Sequence, residues 1–103
     1  MTRRHEDSTA VEGGTPVCVR FLVEGRLSFG SYSAFVLDRA AWLDISGWVS
    51  ARPGGSIEIV AAGPEALVGA FEMACTLGPL DALVDRIETT PVPAFPKRRF
   101  ELR

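Results

Sequence analysis

The sequence of 103 residues is poor in the side chains on which most metal and acid–base sites depend. It has one histidine, His5, in a polar N-terminal segment, and two cysteines, Cys18 and Cys75, in apolar surroundings. No Cys or His spacing fits a metal centre. We therefore expect no metal and no cofactor. We also expect the cysteines to be buried or half-buried thiols in a reducing compartment rather than a disulfide.

Long apolar runs and an excess of positive charge are also missing. No run approaches the roughly 20 residues that a membrane-spanning helix needs, and no apolar segment follows Arg3 and Arg4 as in a secretory signal. Eleven basic and thirteen acidic residues give a net charge of -2, whereas general nucleic-acid binding needs a basic surface. The composition therefore predicts a cytoplasmic protein with neither a membrane nor a nucleic acid as partner.

A more specific absence lies between Leu27 and Asp38, where the sequence has no Arg, Lys or His. This segment follows an alternating strand and leads through a Gly/Ser-rich turn into an apolar-periodic helix. Turn N–H groups and the positive end of a helix favour an anion. The segment thus predicts a phosphate cradle without its own cation. The candidate anion-binding residues are Ser28, Phe29, Gly30, Ser31, Tyr32 and Ser33.

The rest of the chain contains an ordered series of strands and helices. Residues 1–15 are polar and predict a disordered tail, and residues 16–103 predict one domain. Period-two alternation predicts strands at 17–24, 45–52, 57–62 and 83–90, with a short last strand near 100–102. Helical periodicity predicts one helix over 33–43, capped by Ser31 or Ser33. A second helix is predicted from Pro64, as its first residue, to the Gly78-Pro79 stop.

The order β-α-β-β-α-β with an extra strand predicts the fold class. It is an α+β ferredoxin-like sandwich, with two helices on one face of an antiparallel sheet and an extra short C-terminal edge strand. The apolar stripe of each helix requires one sheet face to cover it. The other face is then solvated or meets a partner.

The segment from Val17 to Leu27 resembles the opening of the acylphosphatase family. That family continues with a glycine-rich turn of the form G-x-V-x-G-V-G-[FY]-R and a helix that contains Phe. Further similar segments follow in order, namely Gly47-Trp48-Val49, Gly55-Ser56-Ile57-Glu58, Gly63-Pro64-Glu65, Gly78-Pro79 and Phe100-Glu101-Leu102-Arg103. The resemblance implies hydrolysis of carboxyl-phosphate anhydrides without a metal.

The resemblance also implies two functional side chains that this sequence does not have. In the family, an Arg at the end of the turn holds the phosphoryl oxygens and an Asn on the next strand positions water. The Arg position falls on Ser33, which has no charge, and the Asn position falls on Ala51, which cannot orient water. Two family glycines fall on Phe29 and Ser31, so a positive φ there would strain the turn or change its shape.

These departures lead to three hypotheses about function. The first is a domain with little or no catalytic activity that binds a phosphate-like or acyl-phosphate-like anion, or a protein partner. The second is a working acylphosphatase in which Arg26 or Arg52 replaces the missing cation, although adjacent strand positions point to opposite faces. The third is a binding module that self-associates through the open sheet face, where Leu22 and Cys18 are predicted to lie.

Overall fold

The computed structural model describes residues 14–103. His5 and the predicted tail up to residue 13 lie outside the described residues. The elements are β1 (Pro16–Arg26), α1 (Phe29–Trp42), β2 (Ser46–Ala51), a 3-10 turn (Pro53–Gly55), β3 (Ile57–Pro64), α2 (Glu65–Leu77), β4 (Leu83–Pro91) and β5 (Glu101–Leu102). This is the predicted order, although α1 begins earlier than expected and Pro64 precedes α2 instead of opening it.

The five strands form one sheet in the order β4-β1-β3-β2-β5. β1 lies antiparallel between β3 and β4, and β2 and β3 form the predicted hairpin through Gly54 and Gly55, both with positive φ. β1, β2, β3 and β4 pair antiparallel, as predicted, and the extra C-terminal strand β5 lies at the sheet edge; it runs parallel to β2, so the five-stranded sheet is mixed. The reason is that the connection after β4 crosses the end of the sheet at which β2 begins. β5 therefore starts at that same end.

The core lies between one sheet face and the two helices. Phe21 and Val23 of β1 are fully buried there, as the alternation predicts. Phe71 of α2 packs between Phe21 and Phe100, with ring centroids 6.2 and 5.6 Å away. The remaining fully or nearly buried apolar residues are Tyr32, Val36, Ala40, Ile45, Val49, Ile57, Ile59, Val60, Ala61, Val68 and Cys75. Cys75 is a buried free thiol and Cys18 a half-buried one, as predicted.

A β-bulge interrupts the pairing of β1 with β4 close to the end of β1. The register shifts between Glu24 and Gly25, so that Asp85 is the extra residue on β4. Gly25 has a φ of +154°, and a Cβ there would lie 2.1 Å from the carbonyl oxygen of Leu83. Only glycine fits this close approach. Because of the bulge, the half-buried residues Val84 and Ile87 of β4 are three positions apart instead of two, and the bulge lies next to the β1–α1 turn.

Candidate functional site

The predicted anion cradle lies at the junction of β1 and α1. The turn itself contains only Leu27 and Ser28, because α1 begins at Phe29. The prediction that the helix starts at Ser33 is therefore wrong by about one turn. Neither Phe29 nor Ser31 has a positive φ, since Asp44 is the one such non-glycine residue in the range 14–103. Without family glycines at these positions, the backbone continues as helix and carries no strain there.

Three backbone amides remain at the start of α1. The first helical hydrogen bond runs from the amide of Tyr32 to the carbonyl oxygen of Ser28, at 2.8 Å. The amides of Phe29, Gly30 and Ser31 precede that bond, so they are the ones that lack an acceptor within the helix. An anion would contact these amides, whereas the amide of Tyr32 is already used.

The prediction that Ser31 or Ser33 caps the helix is wrong. Ser28 holds the N-cap position and its side chain makes no capping hydrogen bond. Ser31 Oγ instead donates to Asp81 Oδ1 at 2.8 Å, and Ser33 Oγ donates to the carbonyl oxygen of Gly30 at 3.3 Å. Both hydroxyls lie too far along the helix to reach the first amides, since a capping oxygen comes from the residue before the helix.

Ser33 and Ala51 hold the two positions to which the resemblance assigns side-chain chemistry. Ser33 is only 4% exposed and lies on the buried side of α1. Ala51 ends β2, is exposed and pairs with Ile57, which pairs in turn with Val23 near the end of β1. The structure therefore brings Ala51 to the same end of the sheet as the β1–α1 turn. Neither side chain carries a charge, and Ala51 has no polar atom that could orient water.

The two candidate replacement cations are Arg26 and Arg52. Arg52 Nη1 is 4.0 Å from Glu58 Oε2, and the same oxygen accepts a hydrogen bond from Arg20 Nε at 2.5 Å. Glu58 lies on the sheet face opposite the helices, because its neighbours along β3 are buried in the core. Arg26 is exposed at the end of β1, where strand alternation places it on the face of Arg20. Arg52 thus lies beside a carboxylate of the opposite sheet face, and Arg26 is an exposed residue two positions before the N-cap Ser28.

Asp81 is a residue of this site that the sequence analysis missed. Its carboxylate accepts the hydrogen bond from Ser31, in the first turn of α1, although the two residues are 50 positions apart. A carboxylate beside the positive end of a helix stabilises the helix and repels another anion. No local pattern signals this contact, because the loop between α2 and β4 reaches α1 only through tertiary packing.

Tyr32 connects the start of α1 to the end of α2. Its hydroxyl donates to the carbonyl oxygen of Cys75 at 2.6 Å, and both side chains are fully buried. Gly78 has a φ of +66°, and a Cβ there would lie 3.3 Å from the Tyr32 ring. Burial raises the pKa of Tyr32 far above its ordinary range, and burial together with the charge of Glu72 raises the pKa of Cys75 to about 12. The side chain of Tyr32 therefore has a structural role.

These raised pKa values predict a loss of stability in alkali. Both groups are neutral when protonated, and their folded pKa values lie above the unfolded ones. Their contribution is therefore fully present below about pH 9 and is lost as the pH rises toward 12. We expect the free energy of unfolding to fall by about 1.4 kcal/mol per pH unit for each group that ionises on unfolding. Urea titrations between pH 7 and about 11.5 measure this decline.

Cys75→Ala provides the control for the alkaline decline. The variant should be less stable at pH 7 because it loses buried volume. Its further loss above pH 9 should be smaller than that of the unsubstituted protein, since one ionising group is gone. Parallel declines in both proteins would contradict the role of Cys75.

The described residues offer no site for a metal ion. Within residues 14–103 there is no group of three or more His, Cys, Asp or Glu side chains that could hold one. Over the same range, no helix has the length and the apolar character that a membrane crossing requires.

The chain is a ferredoxin-like α+β domain in which the backbone amides of Phe29, Gly30 and Ser31 lie unpaired within the helix at the start of α1. The acylphosphatase family model matches residues 19–102 of this chain. The acylphosphatase of Moorella thermoacetica is 42% identical over 72 residues, which are 70% of this chain and 77% of the relative. The acylphosphatase of Rhodospirillum rubrum is 38% identical over 72 residues, which are 70% and 79% of the two chains. The chain therefore belongs to the acylphosphatase family.

Solved structures agree with this assignment. The crystal structure of acylphosphatase from Bacillus subtilis superimposes with a TM-score of 0.80 at 30% identity and covers 84% of this chain and 98% of its own. An acylphosphatase from Coxiella burnetii gives a TM-score of 0.81 at 21% identity over the whole of both chains, a likeness of fold. The predicted family and the predicted ferredoxin-like sandwich are both confirmed.

Proposed function

We propose that this domain hydrolyses acyl phosphates slowly or not at all and retains a weak anion site at the start of α1. The observation that carries the proposal is the pair Ser33 and Ala51 at the positions that the family resemblance assigns to an Arg and an Asn. The hydroxyl of Ser33 is engaged with Gly30 inside the helix. Ala51 has no polar side-chain atom to place a water molecule.

The expected loss of rate is large because phosphoryl transfer depends on positioning and charge. Removing one preorganised donor from a transition state costs on the order of 10²–10³ in rate. Removing a guanidinium from a transferring phosphoryl group costs about 10³–10⁵, by comparison with arginine fingers. The two losses do not add in full, yet either one alone would leave a slow reaction.

Asp81 lowers the affinity of the proposed site for anions. Its carboxylate is hydrogen-bonded to Ser31, whose amide is one of the three that precede the first helical hydrogen bond. A phosphate held by the amides of Phe29, Gly30 and Ser31 would therefore face a negative charge. With no Arg, Lys or His between Leu27 and Asp38, nothing in this segment offsets that repulsion. We expect weak binding of inorganic phosphate, and a protein partner remains the second ligand class.

A side-by-side hydrolysis assay tests the proposal. The substrate is an acyl phosphate such as acetyl or benzoyl phosphate, and the reference is acylphosphatase from Bacillus subtilis under the same conditions. We expect kcat/KM at least about 10³-fold below that of the reference, because both chemical groups are missing. Turnover within about tenfold of the reference would rule the proposal out.

The alternative function is acyl-phosphate hydrolysis with a rearranged cation, Arg26 or Arg52. It predicts that the activity of the unsubstituted protein disappears in Arg26→Ala or in Arg52→Ala. Arg39→Ala is the matched control, because Arg39 is an exposed arginine near the other end of α1 that contacts Asp38 and Phe35. The proposal of a domain with little or no activity predicts instead that Arg26→Ala, Arg52→Ala and Arg39→Ala all keep the low activity of the unsubstituted protein.

A further inference from the structure

The largest group of exposed apolar side chains lies beside the β4 edge of the sheet. Six large apolar side chains are exposed within residues 14–103, and four of them fall between the middle of α2 and the start of β4. These four, the α2–β4 patch, are Met73 (67% exposed), Leu77 (75%), Leu80 (107%) and Leu83 (57%). Apolar side chains grouped in this way mark an interaction surface.

The part of the α2–β4 patch that lies on α2, Met73 and Leu77, is on the flank of the helix next to the β4 edge. Thr89 Oγ1 of β4 donates to Glu72 Oε2 of α2 at 3.2 Å, so this flank of α2 lies over β4. The flank lines a shallow groove of about 440 Å³, formed by Gly69, Glu72, Met73, Thr76 and Leu77. β4 pairs with β1 on one side, and its other side has no strand partner among the described residues. A chain that pairs with β4 would therefore also cover the groove.

The charges of β4 are complementary to those of a second β4 strand. Arg86 and Glu88 flank Ile87 and lie on the same sheet face, where Arg86 donates a hydrogen bond to Glu88. A second copy that pairs antiparallel about a two-fold axis at Ile87 places each Arg86 opposite the other copy's Glu88. Opposite charges directly across a strand pair stabilise the pairing, and like charges destabilise it.

We propose that a second copy of this chain docks on the β4 edge and forms a two-fold dimer with a continuous sheet. The free backbone groups of β4 supply the strand ladder and the α2–β4 patch supplies the apolar burial. In this register the bulge at Asp85 faces Thr89 of the other copy, so the ladder is restricted to residues 86–88 of each strand. So short a ladder is marginal by itself, and the dimer therefore depends on the patch and on the charge pairs together.

Two charge-reversal variants test the register of this dimer. The mass of the unsubstituted protein is followed by light scattering and sedimentation from about 1 to about 500 µM, the range in which a modest interface dissociates. Arg86→Glu leaves two acidic groups on each strand and Glu88→Arg leaves two basic groups. Each variant alone should raise the dissociation constant at least about tenfold. An equimolar mixture of the two restores opposite pairs and should dimerise within about threefold of the unsubstituted protein.

The mixture separates an interface effect from a folding defect, because a misfolded variant is not rescued by another one. Arg86 also lies across from Glu24 within the same chain, so thermal unfolding of each variant is measured as well. If Arg86→Glu does not fold, Glu88→Arg and Leu77→Lys provide the test, since both replace exposed side chains and should each weaken the dimer. A strict monomer at all concentrations overturns the proposal. So does a dimer that is insensitive to these changes, or a mixture of folded variants that stays monomeric.

Discussion

Replacing Ser33 by Arg and Ala51 by Asn together is expected to raise kcat/KM for an acyl phosphate at least about 100-fold over the unsubstituted protein. Side chains on a helix point back toward its N-terminus. An Arg at position 33 would therefore extend toward the amides of Phe29, Gly30 and Ser31. The Asn at position 51 would restore a group that orients water at the same end of the sheet. Steady-state hydrolysis measures the gain.

The matched control for this gain is Ser33→Met combined with Ala51→Asn. Methionine has a long unbranched side chain without charge, so it tests whether space alone changes the rate. Because Ser33 is nearly buried, thermal unfolding of both double variants must show folded protein. A folded Arg and Asn variant that hydrolyses no faster than the Met and Asn variant would show that the helical start of α1 no longer presents a working cradle.

Gly47→Ala is expected to cause a large loss of stability. Among the glycines of residues 14–103, only Gly25 at the β-bulge has a comparably close backbone contact. Gly47 is buried in β2 with a φ of +139°, and a Cβ there would lie 1.8 Å from the carbonyl oxygen of Val60. The obstructing atom belongs to the backbone of the neighbouring strand, so it cannot move without breaking the sheet. We expect a loss of at least about 3 kcal/mol from a total of roughly 5–15 kcal/mol. Urea unfolding measures it.

Gly69→Ala is the control, because Gly69 lies in the middle of α2 with ordinary φ and no atom within 4 Å of the added Cβ. Alanine there should stabilise the helix by roughly 0.5–1 kcal/mol, since glycine carries more backbone entropy into the unfolded state. The two changes add the same methyl group with opposite expected signs. A loss below about 1 kcal/mol at Gly47 would contradict the contact with Val60.

The start of α1 differs from the turn that the family resemblance predicts for this segment. The family turn has glycines where this chain has Phe29 and Ser31, and here the helix extends back over both positions. Helix replaces the expected turn and leaves only three amides before the first helical hydrogen bond. The proposed loss of activity thus has two parts, namely the residue types at Ser33 and Ala51 and a turn that is shorter than the resemblance predicts.

Local patterns in the sequence were sufficient for the order of the elements and for much of the core. Alternation identified the buried face of β1 at Phe21 and Val23, and the Pro53–Gly55 turn identified the hairpin. These features depend on interactions between residues close in the chain. The helix start at Phe29 was missed because an isolated Gly/Ser-rich segment is compatible with turn and helix alike. In the structure this segment is helical from Phe29, and Tyr32 and Ser33 of its first turns are buried against the core.

The sequence by itself determined the family and the fold class, because both are written in residue types and their order, and it places Ser33 and Ala51 at the positions to which the family resemblance assigns an arginine and an asparagine. Only the tertiary structure decided which charges lie near the site. It placed Asp81 at the start of α1 from 50 residues away and turned Arg52 toward Glu58 on the opposite face of the sheet. It also set β5 parallel to β2 and exposed the α2–β4 patch beside a free edge. Contacts of this kind arise from packing between distant segments, for which neither periodicity nor local propensity carries a signal.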